Sequence, residues 1–232
     1  MANLAYGPTM VHIITLLLSW TRTDTISKPF SIHPNDPDEV SSNRNDFAAQ
    51  PPKMKTLTLL RHAKSGWDDP VARDFDRGLN DRGKRGAKLV GEHMRKLGLV
   101  FDAVVSSPAV RCVDTLDGIW EGYGTVLHPV WDRRVYLASG ATLLDVVHEF
   151  PDVDHVLMCG HNPGLEDLIL MLVPDGPDNP FRDEVEEKLP TASVAELQID
   201  VTHWADVKAN SAKFSQLVRP RDLSIDLGPA SR

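Results

Sequence analysis

Three short apolar segments constrain the fold of this 232-residue chain, because each of them ends in a turn that carries a basic side chain. Residues 57–63 read Leu-Thr-Leu-Leu-Arg-His-Ala, and residues 104–111 read Val-Val-Ser-Ser-Pro-Ala-Val-Arg. Residues 157–163 read Leu-Met-Cys-Gly-His-Asn-Pro. Short apolar runs bounded by turn residues are typical of strands that are buried on both faces of a parallel sheet.

Between these segments the apolar residues recur at helical spacing. Asn80 is a good N-cap and Gly98 a good helix stop, so the spacing predicts a helix over 81–97. Within it, Ala87, Val90, Met94 and Leu97 recur at helical spacing. The same reasoning predicts strands over 56–60, 102–106, 153–159, 192–199 and 214–218. It also predicts a helix from the Ser107-Pro108 turn to about 120, one over 142–150, and one from the Asn162-Pro163 turn to about 172. This alternation predicts a three-layer α/β fold with a mostly parallel central sheet flanked by helices.

Two of the predicted helices begin at a polar residue followed by proline. Ser107 with Pro108, and Asn162 with Pro163, have the pattern of an N-cap and first-turn pair. Residues 174–190, which are rich in Pro, Asp and Glu, are expected to form a loop. The charged run 183–188 inside it is interpreted as a solvated face or the edge of a lid.

The first 53 residues differ from the rest of the chain. The apolar run 10–20 is far shorter than the roughly 20 residues that a membrane-spanning helix needs. A signal peptide requires basic residues before its apolar stretch, and here no Lys or Arg precedes Arg22. Residues 21–53 are rich in Pro, Asp, Ser and Asn, a composition that favours disorder. We therefore expect 1–53 to be a disordered or dispensable leader and 54–232 to be the functional domain, with no membrane contact.

The charge and the cysteines exclude several classes of function. The formal net charge of −8 argues against a nucleic-acid partner, so a phosphate-binding site in this chain must concentrate its positive charge locally. Cys112 and Cys159 both lie in apolar stretches and are expected to be buried free thiols of a reducing, cytoplasmic compartment. Their spacing does not fit a zinc site.

The three turns are expected to converge. Ligands of parallel sheets bind beyond the carboxyl ends of the strands, where Arg61, His62, Ser107, Arg111 and His161 all fall. The two arginines can grip phosphoryl oxygens through planar forks. Neighbouring cations keep His62 neutral, so that it can attack phosphorus and form a phosphohistidine that water hydrolyses. His161, either protonated or as a neutral N–H donor, can stabilise the same oxygens.

Four motifs of the chain resemble those of the histidine phosphatase superfamily, and closely those of its SixA-type phosphohistidine phosphatases. The hallmark Arg-His-Gly triplet reads Arg-His-Ala at 61–63, as in many SixA-like members. The Ser-Pro-x-x-Arg segment stands at 107–115, the second histidine motif at 160–163 and the Leu-Thr-x-x-Gly helix start, as Leu-Asn-Asp-Arg-Gly, at 79–83. Their order and spacing agree from about Met54 to Asp222.

The resemblance implies a phosphatase, a hydrolase that acts without metal or other cofactor. His62 is then the nucleophile, and Arg61, Arg111 and His161 are phosphate ligands and members of the catalytic set. The implied substrate is a phosphorylated protein carrying phosphohistidine. The enzymatic alternative is a broad-specificity phosphomonoesterase for small phosphorylated molecules, and the alternative from another class is a non-catalytic module that binds phosphorylated ligands.

A general acid is not evident. Position 162, where related phytases carry aspartate, is Asn162, and Asp132 is a candidate in poor register. Asp74, Asp76 and Arg77 are expected to form a charged surface turn. Imidazole is a better leaving group than an alkoxide and needs less help from a proton donor, so the missing acid favours phosphohistidine.

Simpler interpretations stay open for single residues. Arg111 could pair with Asp114 along its helix, and His161 could satisfy local backbone groups. Lys64 and Ser65, together with residues 67–69, follow His62 in a loop that could rim the pocket, although a solvated loop is the favoured expectation. No motif context surrounds the other histidines, which are expected to be surface or core residues: His12, His33, His93, His128, His148, His155 and His203.

Overall fold

A mixed sheet organises the part of the chain that the computed structural model describes, residues 54–66 and 73–227. Within these residues the sheet has six strands in the order β3-β2-β4-β1-β5-β6. The strands are β1 (Lys55–Arg61), β2 (Ala103–Ser106), β3 (Val130–Trp131), β4 (His155–Gly160), β5 (Val194–Ile199) and β6 (Ala212–Val218). The first four are mutually parallel, whereas β5 and β6 run antiparallel to their neighbours. The carboxyl ends of β1, β2 and β4 therefore meet at one edge.

Helices cover both faces of the sheet. The helices are α1 (Asp81–Lys96), α2 (Val110–Tyr123), α3 (Gly140–His148), α4 (Gly164–Leu172), α5 (Phe181–Glu187) and α6 (Pro220–Leu223). Short 3₁₀ turns occur at Asp74–Asp76, Arg133–Val135, Trp204–Asp206 and Ile225–Leu227. None of the helices in the described ranges is long and apolar enough to cross a membrane.

Alternation along β1 divides the core into two layers. Leu57 and Leu59 pack with apolar residues of α3 and α4, whereas Leu60 packs with those of α1 and α2. All three leucines are fully buried, because the helices exclude water from both sides of the strand. The three-layer α/β architecture expected from the sequence is confirmed.

Most predicted elements are present, with ends shifted by a few residues. Helix α1 begins after Asn80, whose side chain accepts a hydrogen bond from the Gly83 N–H at 2.9 Å, as an N-cap should. Of the apolar residues at helical spacing, Ala87, Val90 and Met94 are buried, whereas Leu97 is not. This residue caps the carboxyl end of α1 and is 41% exposed, because the helix turns away from the core there.

Three local predictions are wrong. Residues 174–190 are not all loop, since they contain α5, which buries Val185. Ser107 and Asn162 are not the N-caps of α2 and α4, which begin later, after Ala109 and Pro163. Each polar side chain also bonds to a residue distant in the sequence, Ser107 to His161 and Asn162 to Leu189. The predictions for residues 1–53 and 67–69 lie outside the described residues.

Candidate active site

The ends of β1, β2 and β4 place the predicted basic residues side by side. Arg61 is the last residue of β1 and His62 follows it, while Ser107 follows β2 and His161 follows β4. The His62 N–H donates to the Gly160 carbonyl at 3.1 Å, so the pairing of β1 with β4 continues one residue beyond the strand. The backbone therefore holds His62 and His161 at neighbouring positions.

A pocket of about 320 Å³ opens at this edge, and we call it the reaction pocket. Its lining includes Arg61, His62 and Arg111. His161 lies behind it, 2% exposed, with its ring centroid 5.1 Å from that of His62. The structure thus brings the four predicted residues together. The full lining is Arg61, His62, Lys64, Ser65, Asp74, Arg77, Arg111, Leu137 and Thr191.

The protonation of His62 follows from its surroundings. Its Nδ1 lies 2.8 Å from the Ala63 carbonyl oxygen, which can only accept, so Nδ1 carries the proton and Nε2 keeps its lone pair. Burial, together with the charges of Arg111 and Arg61, lowers the pKa of His62 from its ordinary 6.5 to about 4. The imidazole is therefore neutral at pH 7 and offers Nε2 as a nucleophile.

His161 is also neutral. Burial, followed by the charges of Arg111 and His62, lowers its pKa to about 3. Its Nε2 lies 2.8 Å from the Ser107 hydroxyl, which itself accepts from the Ala109 N–H at 3.3 Å and is free to donate to Nε2. This chain places the ring proton on Nδ1, which is buried and has no partner among the described residues. Nδ1 is thus an unmatched donor beside His62.

Arg111 is 3% exposed and is held by a residue from outside its helix. Its Nη1 donates to the Asp74 carbonyl oxygen at 2.6 Å and its Nη2 to the Asp74 carboxylate at 3.0 Å. The Tyr136 ring lies 5.7 Å from its Cζ. The alternative pairing with Asp114 is wrong, because the carboxylate that pairs with Arg111 is that of Asp74, while Asp114 accepts from the Leu79 N–H at 3.0 Å. A guanidinium has five N–H donors and Asp74 takes two of them, so Arg111 keeps further donors.

Asp74 lies in a charged turn at the surface, as expected, with 41% of its side chain exposed, and it also lines the reaction pocket. The Tyr136 hydroxyl donates to its carboxylate at 2.8 Å and Arg77 Nη1 at 2.7 Å. Partial burial favours the neutral acid, but the hydrogen bonds from Tyr136, Arg111 and Arg77 outweigh it and lower the pKa of Asp74. The carboxylate is therefore ionised at neutral pH and holds two arginines in place.

Arg61 is positioned by the segment after α5. Its Nη1 donates to the Leu189 carbonyl at 2.5 Å, while its buried Nε has no partner among the described residues. The Leu189 N–H donates to the Glu166 carboxylate at 2.8 Å, and the Asn162 amide donates to both Glu166 and the Leu189 carbonyl. Glu166, in the first turn of α4, thereby anchors the segment that orients Arg61.

The first turn of α1 supports the chain that follows His62. The Asn80 N–H donates to the Lys64 carbonyl oxygen at 3.1 Å. A Cβ at Gly83 would collide with that same oxygen, so a larger residue would push α1 away from the pocket. This close approach gives a structural reason for glycine at this position.

Several sequence candidates lie elsewhere. Asp132 does not line the reaction pocket, and its carboxylate accepts from Arg134 at 2.7 Å. Lys64 and Ser65, expected in a solvated loop, do line the pocket. The described histidines other than His62 and His161 are absent from its lining. Cys112 and Cys159 are buried free thiols, as predicted, and Cys112 Sγ lies 3.5 Å from His161 Nε2.

Sequence reasoning missed Asp74, Tyr136 and Glu166. Asp74 and Tyr136 come from 3₁₀ turns or their ends, where no apolar periodicity indicates which way a side chain points. Glu166 has a detectable signal, since an acidic residue in the first turn of a helix is favoured by the helix dipole. That signal explains the residue type but does not predict its contact with Leu189.

The charges and donors of the reaction pocket suit a phosphoryl group. Two guanidinium groups and a neutral N–H donor surround a neutral imidazole with a free lone pair, which are the parts needed to hold and attack a tetrahedral anion. Within the described ranges, no group of three or more His, Cys, Asp or Glu side chains is arranged to hold a metal ion.

Comparison with known proteins identifies relatives of the chain. Residues 57–134 match the family described as Histidine phosphatase superfamily (branch 1). An uncharacterized protein of Mycobacterium tuberculosis is 34% identical over 164 residues, which cover 70% of this chain and all of that protein.

Two solved structures share the fold at 28% sequence identity each. One is from Nakamurella multipartitia, with a TM-score of 0.64 over 74% of this chain and 99% of that one. The other is from Agrobacterium tumefaciens, with a TM-score of 0.59 over 72% of this chain and 98% of that one. Both carry the name phosphohistidine phosphatase SixA.

Proposed function

The chain belongs to the histidine phosphatase superfamily and is a phosphatase, and on that premise we propose that it removes the phosphoryl group from protein phosphohistidine through a covalent intermediate on His62. The names of the two similar SixA structures support the substrate class. The geometry of the reaction pocket supports the mechanism.

In the first step the phosphoryl oxygens are held by three groups. Arg61 supplies its unpartnered Nε–H, and Arg111 supplies the N–H groups that Asp74 does not use. His161 supplies Nδ1–H. Because these donors are fixed by Leu189, Asp74 and Ser107 before the substrate arrives, they stabilise the charge of the transition state at little reorganisation cost.

His62 then exchanges one P–N bond for another. Its Nε2 lone pair forms a bond to phosphorus while the P–N bond of the substrate breaks, and the electron pair of that bond leaves with the substrate imidazole. Water subsequently attacks the phosphorus of phospho-His62, which releases phosphate and restores the neutral ring. The Ala63 carbonyl keeps Nδ1 protonated throughout and so directs Nε2 toward phosphorus.

The ionised state of Asp74 is the observation that supports phosphohistidine over alkyl phosphates as the substrate. Among the described residues that line the reaction pocket, Asp74 is the acidic one, and its lowered pKa leaves no proton for a departing group at pH 7. An alkoxide needs such a proton, whereas a phosphoimidazole that is already protonated on its other nitrogen leaves as neutral imidazole. The pocket is therefore matched to a labile P–N bond.

Trapping of the intermediate tests the covalent mechanism. Brief incubation with a ³²P-labelled phosphohistidine protein should leave acid-labile, alkali-stable label on the enzyme, and His62→Ala should abolish it. His128→Ala, which changes an exposed histidine outside the pocket, should label like the wild type. Absence of label on the wild-type enzyme during rapid turnover would contradict the mechanism, and ligand binding without any turnover would favour a non-catalytic module.

A turnover comparison tests the substrate. The kcat/KM for a phosphohistidine protein should exceed that for alkyl and sugar monophosphates by at least about 10²-fold, the size of a missing general-acid contribution. Equal values for the two classes would instead assign the pocket to a broad phosphomonoesterase.

A further inference from the structure

A second pocket of about 380 Å³ adjoins the reaction pocket, and we call it the basic pocket. Its wall is continuous with the reaction pocket, because Arg61, Lys64 and Thr191 line both. A molecule whose phosphoryl group lies at His62 therefore reaches the basic pocket through its next few atoms. The basic residues of its lining are Arg61, Lys64, Arg82, Lys188 and Arg221.

The charge of this pocket is opposite to that of the chain. Acidic residues outnumber basic ones by 33 to 25 in the sequence, yet all the charged residues among those that line the basic pocket are Lys or Arg. Like charges gathered in a concave site raise its potential and concentrate anions there. Folding alone does not favour such a cluster, since the cations repel one another.

Ion pairing distinguishes these cations from others on the surface. Lys64 and Lys188 are exposed and have no carboxylate partner in the described part of the chain, and the nearest acidic oxygen recorded for Arg221 is 4.0 Å away on Asp222. By contrast, Lys88 pairs with Glu121 and Arg134 with Glu149 at 2.7 Å or less. Lys64, Lys188 and Arg221 of the basic pocket are therefore available to an incoming anion.

We propose that the basic pocket binds a second anionic group of the substrate, a phosphate or a carboxylate joined by a few atoms to the phosphoryl group that is removed. The proposal rests on the assignment of the reaction pocket above and adds a requirement for substrate charge. Lys188 and Arg221 determine this specificity without touching the reacting atoms, whereas Arg61 and Lys64 stand between the two groups. The second anion has two possible sources, a further phosphate of a small molecule or acidic side chains beside phosphohistidine.

A double variant tests the proposal. Lys188→Gln with Arg221→Gln removes two exposed charges that do not line the reaction pocket, so the fold and the chemistry should be kept. The test substrates are alkanediol bisphosphates of two to six carbons and the matching alkyl monophosphates. Wild-type kcat/KM should favour the bisphosphates, and the double variant should reduce that preference about 10- to 100-fold, the effect of losing hydrogen bonds to charged groups.

Matched controls separate a specific site from a general field. Lys208→Gln with Lys213→Gln removes two exposed charges that line neither pocket, and it should leave the preference unchanged. Monophosphate turnover by the Lys188 and Arg221 variant should stay within about threefold of wild type. A monophosphate has no second anion in the basic pocket, and salt at about 0.1 M screens exposed charges that are more than about 10 Å apart. Equal losses for monophosphates and bisphosphates, or no loss for either, would overturn the proposal.

Peptides separate the two sources of the second anion. Phosphohistidine peptides with Asp or Ala at the flanking positions should differ in kcat/KM if acidic side chains occupy the basic pocket, and the double variant should then remove the difference. If the double variant changes kcat/KM for the bisphosphates but for neither peptide, the basic pocket binds the second phosphate of a small molecule. His62→Ala should abolish turnover of every substrate, whereas loss of the basic pocket should change only the preference among substrates, so the two proposals fail in distinguishable ways.

Discussion

The reaction pocket and the basic pocket share a wall but hold positive charge in different ways. Arg111 of the reaction pocket is 3% exposed and donates two hydrogen bonds to Asp74. Lys188, which lines the basic pocket and not the reaction pocket, is exposed and lacks a carboxylate partner in the described residues. A buried guanidinium loses its hydration and must be bonded by protein, which fixes its direction, whereas an exposed ammonium stays hydrated and mobile.

The difference indicates what each pocket contributes. Fixed donors can stabilise a transition state, because their orientation costs nothing when the reaction occurs. Exposed cations supply an attractive potential and choose among substrates, and their effect is screened by salt. Substitutions in the reaction pocket should therefore lower the rate for every substrate, and substitutions in the basic pocket should change the preference among substrates.

Removal of Arg111 is the most severe test of the contrast. Arg111→Ala should lower kcat/KM by about 10³-fold or more for every substrate, because a fixed fork for the phosphoryl oxygens is lost. Steady-state kinetics checks this, with thermal melting to verify that the variant folds. Arg134→Ala, an ion-paired arginine outside both pockets, serves as the control and should stay near wild type. A change of less than about fivefold in Arg111→Ala would refute the assigned role.

Asp74 tests whether the direction of Arg111 matters apart from its charge. Asp74→Asn should lower kcat/KM by about 10- to 50-fold, because a weaker acceptor leaves Arg111 and Arg77 less firmly held. The loss should be equal for p-nitrophenyl phosphate and for alkyl phosphates. Asp76→Asn, in the same 3₁₀ turn but paired with exposed Arg73, is the matched control. A loss confined to alkyl phosphates would instead make Asp74 a proton donor.

Glu166 tests the indirect support of Arg61, which faces both pockets. Glu166→Gln should raise KM about three- to tenfold and change kcat less, because the Leu189 segment that bonds Arg61 is held less tightly. The neighbouring Asp167→Asn changes an exposed acid in the same helical turn and should have no such effect. Unchanged KM in Glu166→Gln would show that Arg61 is held without this anchor.

The stability of the enzyme tests the buried state of His62. Its pKa is lowered to about 4 in the folded protein, so the unfolded chain takes up the proton first as the pH falls below 6.5. Stability present above pH 6.5 is therefore lost between pH 6.5 and 4, by about 2 kcal/mol at pH 5 for this group.

Denaturant unfolding at pH 7 and pH 5 measures that loss. In His62→Gln the loss between the two pH values should be smaller by about 2 kcal/mol. His128→Gln, at an exposed position, should lose as much as the wild type. Equal losses in all three proteins would mean that His62 is already solvated in the folded state.

The sequence predicted the elements whose hydrogen bonds and burial repeat along the chain. The apolar runs of β1 and β4 and the N-cap at Asn80 are signals of this kind, because their determinants lie within a few residues. Residues that directly follow parallel strands lie at the carboxyl edge of the sheet, so Arg61, His62, Arg111 and His161 could be expected to meet there. The helix α5 was missed because its Pro- and acid-rich surroundings hide its short apolar face.

The predicted N-caps show where local reasoning stops. Ser107 and Asn162 each have a hydroxyl or amide suited to a neighbouring helix start, but Ser107 bonds His161 and Asn162 bonds Glu166 and Leu189. The sequence is compatible with a bond to the neighbouring helix start and with a bond to another partner, and it does not indicate which of them forms. The bonds to His161 and Leu189 form because folding brings these residues within hydrogen-bond distance in a buried site, where an unmatched polar group is costly.

By itself, the sequence determined the α/β layers, the strand ends and the residue types that meet a phosphoryl group. Only the tertiary structure decided that Asp74 bonds Arg111 across 37 positions, and that the cations of the basic pocket stand beside His62. Secondary structure repeats over short distances, so its period is visible in the order of residues. Contacts between distant segments depend on how the helices and strands pack, and no period in the sequence records them.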